Sequence, residues 1–236
     1  MNKKVYINDF SISFPKKKEN NSEILKLAKK RPIEINHMIK KIGIKSRFIS
    51  SKSETANSIA VKSAKKILKY FNKSKIDFLI LCTNSPDYIL PPNSCLLQSK
   101  LKLKKTTGSF DINLSCSGYI YALSIAKGLI QSNQAKNILL LTSDTYSKFI
   151  NKKDYKNRVI FGDAATATII SSEKKNAVFN LEKSEMGTDG SGGNKAIFKN
   201  FGTKYLMERK FEKFEMDGPK IFEFALQEIP QAINSF

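Results

Sequence analysis

The 236-residue sequence contains no tryptophan, a single histidine (His37) and only three cysteines (Cys82, Cys95 and Cys116). Cysteines so few and so far apart exclude a disulfide-stabilised secreted fold and a zinc knuckle, and we expect no metal site. No apolar run approaches the ~18 residues that cross a bilayer. The first ten residues also lack the apolar segment of a signal peptide. We therefore expect a cytoplasmic protein without a membrane span.

Acidic residues are scarce as well: 21 stand against 41 basic residues, which leaves a formal net charge of +20. Such an excess suggests an acidic partner, namely nucleic acid, a membrane surface or an acidic protein. The alternative is a chain that simply uses much lysine, since the lysines are spread along its whole length. Nucleic-acid readers usually concentrate arginine and aromatic residues on one element, so we predict no nucleic-acid partner.

The pattern of apolar residues predicts an α/β fold. With 41% apolar and 26% charged residues the composition is globular. Apolar or small residues in 60–71 recur with the spacing of an amphipathic helix, and the nearly continuous apolar run 76–82 is typical of a strand covered on both faces. Further strands are predicted at 109–114, 137–142, 164–171 and 176–186, and helices at 119–132 and 218–233.

Cys116 lies at a predicted strand–turn–helix junction, with Gly118 close behind it. The N–H groups at the start of a helix have no intrahelical partners, and together with the helix dipole they favour a thiolate. The same groups can stabilise the oxyanion of a tetrahedral intermediate. The alternative is a buried structural cysteine. We expect that structural role for Cys82, inside a strand, and for Cys95, inside a helix.

Several motifs occur together in one order. The segment Asp111-Ile-Asn-Leu-Ser-Cys116-Ser-Gly118 resembles the nucleophile segment of the type III 3-oxoacyl-[acyl-carrier-protein] synthases, which belong to the thiolase-like superfamily. Phe161-Gly-Asp163, Gly43-Ile-Lys-Ser-Arg47 and the glycine-rich loop 187–193 resemble further elements of that family. The resemblance covers nearly the whole chain.

The resemblance implies a thiolase-like fold of two similar α/β halves. Residues 1–172 would form the complete N-terminal half, which carries the nucleophile, and residues 173–236 the incomplete beginning of the C-terminal half. It also implies an acyltransferase of fatty-acid or related biosynthesis, in which Cys116 takes an acyl group from acyl-CoA or an acyl carrier protein. Condensation with malonyl on the acidic carrier protein follows. We expect a homodimer, and coenzyme A as part of a substrate thioester instead of a bound cofactor.

The family pattern also assigns binding residues. Leu90 and Phe161 take positions that line the acyl pocket, and the alternative for both is ordinary core. His37 takes the position of a tryptophan that stacks on the adenine of coenzyme A, although an exposed loop histidine is the alternative. Lys41 and Arg158 take the basic flanks of that adenine. Asp163 has a structural place in the pattern.

One departure from the family bears on the reaction. The family completes its catalytic set with a histidine and an asparagine in the second half, whereas the only histidine here is His37. We therefore expect a truncated chain that is acylated at Cys116 but is defective in condensation. The alternative is a non-catalytic thiolase-fold partner of a complete synthase or a carrier protein.

Overall fold

The computed structural model describes residues 3–29, 31–175, 177–198 and 213–235, which form two compact units. One unit comprises Met1–Lys18, Phe48–Thr145 and Asp163–Ser184, and the other comprises Glu19–Arg47, Tyr146–Gly162 and Glu185–Phe236. Each unit is thus assembled from three segments that are not consecutive in the sequence. The division at residue 172, which concerns the two halves of the family fold, stays a prediction.

The secondary structure alternates as an α/β chain should. The strands are β1 Tyr6–Ser13, β2 Lys17–Asn20, β3 Ser46–Ile49, β4 Phe78–Cys82, β5 Gly108–Ile112, β6 Asn137–Thr145, β7 Asp163–Ser171, β8 Phe179–Asn180, β9 Ala196–Ile197 and β10 Glu215–Met216. The helices are α1 Asn21–Leu27, α2 Pro32–Ile42, α3 Ala56–Ile67, α4 Asn93–Lys100, α5 Gly118–Gln131, α6 Tyr155–Arg158 and α7 Gly218–Asn234.

The first unit is built on a sheet of strand order β5-β4-β6-β7-β1-β8. β4 is parallel to both of its neighbours, β5 and β6, whereas β7 is antiparallel to β6 and to β1. The centre of β4, Leu79 to Leu81, is fully buried because α3 packs on one face of the sheet and α5 on the other. The predicted doubly covered strand is therefore confirmed.

The helix predicted over 60–71 begins four residues earlier, at Ala56. Its start is set by a capping box that apolar spacing does not reveal: Thr55 and Ser58 exchange side-chain-to-backbone hydrogen bonds. The helix ends at Ile67, followed by a turn in which Tyr70 N–H bonds to the Ile67 carbonyl. The apolar spacing thus predicts the buried face correctly and misplaces both ends.

The second unit has a small core of its own. Ile24 of α1, Ile35 of α2 and Val159, at the end of α6, are buried against one another. α2 ends at Gly43, whose φ of +72° is the left-handed conformation that favours glycine at a helix C-terminus. The predicted C-terminal helix is confirmed as α7, and it includes Pro230.

The strand predicted over 176–186 is largely wrong. Residue 176 lies outside the described residues, and β8 is the two-residue strand Phe179–Asn180 on the edge beside β1. Its residues are exposed, so this edge offers no buried face to extend the pairing. No helix in the described part of the chain is long and apolar enough to cross a bilayer.

Candidate active site

Cys116 lies in a tight turn, Ser115–Ser117, between the end of β5 and the start of α5. The predicted strand–turn–helix junction is thus confirmed, and the Cys116 side chain is exposed to solvent. The alternative of a buried structural cysteine is wrong. Ser115 has a φ of +46°, a left-handed conformation that is uncommon outside glycine. Such backbone strain concentrates at functional turns.

Gly118 allows the turn to sit directly on β4. A Cβ atom added to this glycine would overlap the Cys82 Sγ, well inside 3.0 Å. The Gly118 backbone itself is helical, so close packing and not its φ angle demands the missing side chain. The backbone of Leu114, two residues before Cys116, also acts on the Cys82 thiol and lowers its pKa, against the effect of burial. The turn that carries Cys116 is therefore packed against Cys82, the last residue of β4.

The cysteines have different surroundings. Burial raises the pKa of the Cys82 thiol to about 11, and the nearby Asp144 carboxylate acts in the same direction. Cys82 is therefore protonated at neutral pH and closed off from solvent. Cys95 lies in α4 as predicted, but its side chain is exposed and the Ser109 hydroxyl is 3.5 Å from its sulfur. The sequence did not distinguish Cys82 from Cys95.

A partly buried carboxylate organises the loop that follows β4. Asp144 Oδ1, near the end of β6, accepts hydrogen bonds from the Thr83 hydroxyl (3.2 Å), the Asn84 N–H (2.8 Å) and the Ser85 hydroxyl (2.8 Å). The Asn84 side-chain amide in turn donates to the Asn113 side chain, three residues before the nucleophile. Burial raises the pKa of Asp144 although these hydrogen bonds oppose the shift.

This network connects β6, the loop after β4 and the strand end before Cys116. Sequence reasoning missed it, because its members are separated by 29 to 61 positions and meet only through the strand order. The available signal was a polar residue shortly after an apolar run, since Thr83, Asn84 and Asp144 all stand within three positions of the end of one.

Leu90 lies in the loop between β4 and α4, at the same sheet edge as Cys116. It is 81% exposed, and its neighbours Tyr88 and Ile89 are exposed too. The alternative that Leu90 is ordinary core is therefore wrong. The loop is nevertheless anchored, because the Asp111 carboxylate accepts from the Asn93 N–H (2.6 Å) and from the Ser94 N–H (2.8 Å) at the start of α4.

The second unit contains the other predicted binding residues. Phe161 is half-buried in an aromatic cluster, where it stacks on Tyr146 at 5.3 Å and meets Phe214 edge-on at 5.4 Å. Its role in an acyl pocket stays a prediction. His37 and Lys41 are exposed on α2, one helical turn apart, so they share one face.

Arg158 is engaged within the protein. Its guanidinium bonds to Glu19 Oε1 at 3.0 Å and to the Lys152 carbonyl at 2.6 Å. The other oxygen of Glu19 binds Arg47 at 2.9 Å, and Arg47 is buried and also donates to Asn21. Burial alone would raise the pKa of Glu19, but the Arg47 hydrogen bond and the charge of Arg158 lower it. The Arg47 of the glycine–isoleucine motif is thus a structural residue.

A basic cavity of about 510 Å³ lies elsewhere in this unit, beside α1, α2 and α6. Tyr155 lines it together with the four cations Lys29, Arg31, Lys153 and Lys156. None of His37, Lys41 and Arg158 is among its lining residues. Sequence reasoning missed the cavity because its cations come from two segments more than 120 residues apart.

Comparison with known proteins adds to this geometry. Residues 110–190 match the family "3-Oxoacyl-[acyl-carrier-protein (ACP)] synthase III", so the match includes Cys116, Gly118 and Asp144. A crystal structure of a 3-oxoacyl-(acyl-carrier-protein) synthase III superposes with a TM-score of 0.86 at 32% identity, covering 98% of this chain and 73% of that one. The chain belongs to the 3-oxoacyl-[acyl-carrier-protein] synthase III family. The predicted thiolase-like α/β fold is confirmed with it.

Curated members of the synthase III family show the same similarity. The putative 3-oxoacyl-[acyl-carrier-protein] synthase 3 of Campylobacter jejuni is 34% identical over 216 residues, which are 85% of this chain and 60% of the relative. The beta-ketoacyl-[acyl-carrier-protein] synthase III of Clostridium perfringens is 35% identical over 197 residues, with 81% and 60% covered. The chain therefore spans about 60% of the length of these relatives.

Proposed function

We propose that this chain accepts an acyl group on Cys116 from an acyl thioester, as the first half-reaction of a 3-oxoacyl-[acyl-carrier-protein] synthase III. The observation that carries the proposal is the exposed Cys116 on a strained turn at the start of α5. The family match across 110–190 supports it, as do the names of the relatives.

The chemistry follows from the position of the sulfur. The Cys116 thiolate attacks the thioester carbonyl carbon, a new C–S bond forms, and the carbonyl oxygen becomes an oxyanion. The first turn of α5 is the positive end of the helix dipole, which stabilises negative charge beside it. Collapse of the intermediate breaks the bond to the donor sulfur, which leaves as a thiolate and takes up a proton. The acyl group stays on Cys116 as a new thioester.

We propose acyl-CoA or an acyl carrier protein as donor and a malonyl group on the acidic carrier protein as the second substrate. His37 and Lys41 share an exposed face of α2, which supports binding of the adenine end of coenzyme A, with His37 stacking on the adenine and Lys41 as a cation beside it. Arg158 shares the Glu19 carboxylate with Arg47, so one negative charge offsets only part of the charge of the two guanidinium groups. The exposed apolar loop at Leu90 supports a homodimer, in which a second copy covers it.

Condensation needs neutral donors toward the oxygen of the decarboxylating malonyl thioester, and the family uses a histidine and an asparagine for this. The sole histidine of this chain, His37, lies on α2 in the second unit. Losing one such donor costs about a hundred- to a thousandfold in rate. We therefore propose that the chain by itself stops at acyl-Cys116. The alternative, a non-catalytic partner of a complete synthase, predicts no acyl-Cys116 at all.

The test is incubation of the purified chain with labelled acetyl-CoA, followed by peptide mass analysis, with and without malonyl carrier protein. Label on Cys116 that is absent in Cys116→Ser and kept in Cys95→Ser supports the proposal. Cys95→Ser is the matched control because Cys95 is the other exposed thiol among the described residues. Absence of label on the intact chain contradicts acyl transfer, and ketoacyl product at a rate typical of the family contradicts the condensation defect.

A further inference from the structure

A second basic surface lies in the first unit, where α3 and α4 end. It is a cleft of about 640 Å³ whose lining has an apolar part, including Leu68 and Phe71, and no acidic residue. Tyr70 stands at the cleft with 85% of its surface exposed. The cations that line it are Lys65, Lys69, Lys73, Lys100 and Lys102.

The lysines of the cleft belong to a larger cluster, which we call the lysine edge. It consists of residues 65–75, with five lysines, and residues 98–107, with four; neither segment contains aspartate, glutamate or arginine. The ion pairs found among the described residues leave every one of these lysines without a carboxylate partner. The lysine edge is therefore a concentrated positive charge that the chain does not neutralise itself.

Helix stabilisation explains only part of the lysine edge. Lys65, Lys66 and Lys100 lie in the last turns of α3 and α4, where a cation interacts favourably with the helix dipole. The other lysines lie beyond the helix ends, in the loops that lead into β4 and β5. The dipole effect falls off within the last turn, so these loop lysines have no such role.

The lysine edge lies where β4 and β5 begin, whereas the nucleophile follows the end of β5. β4 and β5 are parallel, and both begin directly after the lysine-bearing loops. Cys116 follows the other end of β5, and a five-residue strand spans about 16 Å. A molecule bound at the lysine edge therefore leaves Cys116 open to solvent.

We propose that the lysine edge is a docking surface for an acidic protein segment, a helix rich in aspartate and glutamate, separate from the acyl-transfer site. The unpaired lysines attract a negatively charged partner, and the concave shape of the cleft favours a protein segment over a flat membrane surface. A bilayer surface is flat, and Tyr70 is the one strongly exposed apolar side chain here, so an inserting apolar face is missing. Bidentate phosphate recognition uses arginine, and the lysine edge has none, which disfavours nucleic acid.

The experiment measures binding of the full chain to a fluorescent Glu-rich helical peptide by anisotropy, over a series of salt concentrations. The edge variant replaces four lysines of the cleft by glutamine, which removes charge and keeps helix propensity. A matched control variant makes the same change in net charge at exposed lysines of the same unit outside the edge. The edge variant is Lys69→Gln, Lys73→Gln, Lys100→Gln and Lys102→Gln, and the control is Lys16→Gln, Lys17→Gln, Lys174→Gln and Lys175→Gln.

We expect the edge variant to bind the peptide about 30-fold more weakly at low salt, as four exposed charge pairs of modest strength would give. The control variant should stay within about threefold of the unchanged chain, and rising salt should erase the difference between the two. Equal losses in both variants would show that binding follows net charge alone, and would overturn the proposal. Tighter, edge-dependent binding to phosphatidylglycerol vesicles or to single-stranded DNA would overturn it in favour of those partners.

Discussion

Gly118 gives the most direct test of how the nucleophile turn is built. In Gly118→Ala the new methyl group would overlap the Cys82 Sγ, and Cys82 is only 5% exposed at the end of the central strand. Overpacking of this kind costs about 1–3 kcal/mol. The reduced entropy of the unfolded chain returns only about 0.4–1 kcal/mol.

The matched control is Gly128→Ala in the same helix. A Cβ atom at Gly128 meets nothing within 4 Å, so this change should stabilise the protein by about 0.4–1 kcal/mol. The unfolded-state gain is the same for both glycines, so urea unfolding should separate the two variants by the overpacking cost, about 1–3 kcal/mol, with Gly118→Ala the less stable. Limiting iodoacetamide, read by peptide mass, should label Cys116 at a changed rate in Gly118→Ala only.

The double variant Gly118→Ala with Cys82→Ala completes the test. Cys82→Ala alone should cost about 1 kcal/mol, because it leaves a small void in the core. In the double variant the new methyl group occupies that void, so the two changes should compensate with a coupling free energy of about 1–3 kcal/mol. If Gly118→Ala is as stable and as reactive as Gly128→Ala, or if Cys82→Ala restores nothing, the contact between Gly118 and Cys82 is not what requires a glycine.

Three further predictions follow from the described contacts. Glu19→Gln should destabilise the protein by about 3 kcal/mol in urea unfolding, because it removes the carboxylate that pairs with the buried Arg47 and with Arg158. The pKa of Glu19 in the folded protein lies below its ordinary value. The stability that Glu19 contributes is therefore complete above the ordinary pKa and is lost as the pH falls through the folded-state pKa. The difference in unfolding free energy between the unchanged protein and Glu19→Gln should shrink on acidification. Asp111→Ala should destabilise by about 1–2 kcal/mol, since it removes the acceptor at the start of α4, whereas Asp77→Ala is a control that removes a comparable acceptor away from that helix. Limiting iodoacetamide at neutral pH should label Cys116 before Cys95 and leave Cys82 unlabelled until unfolding, and early labelling of Cys82 would contradict its burial.

Much of the first unit could be predicted from the sequence, because its signals are local. The apolar run of β4 and the spacing of α3 and α5 depend only on residues within one element. The turn at Cys116 was predictable for the same reason, since strand, cysteine, glycine and helix follow one another within a few positions. Element ends were less predictable, as the capping box at Thr55 shows.

The contacts that hold the site were not predictable, because they join distant positions through the strand order. Gly118 was recognised as a turn residue, but the reason it must be glycine is Cys82, in a different strand. Arg158 was assigned to coenzyme A by its place in a motif, yet its guanidinium bonds to Glu19, 139 positions away. The lysine edge was missed in the same way, since its two segments look dispersed along the chain and meet only because β4 and β5 are neighbours.

Two thiols near one glycine show how position sets chemistry in this fold. Cys82 packs against Gly118, where burial and the Asp144 carboxylate raise the pKa of its thiol to about 11 and keep it protonated. Cys116, two residues before Gly118, is exposed on the turn that leads into α5. Because β4 supplies the buried thiol and the loop after it supplies the Asn84 contact to Asn113, the nucleophile turn depends on the end of β4 and this loop as much as on α5. A change at the end of β4 should therefore alter the reactivity of Cys116 without touching it.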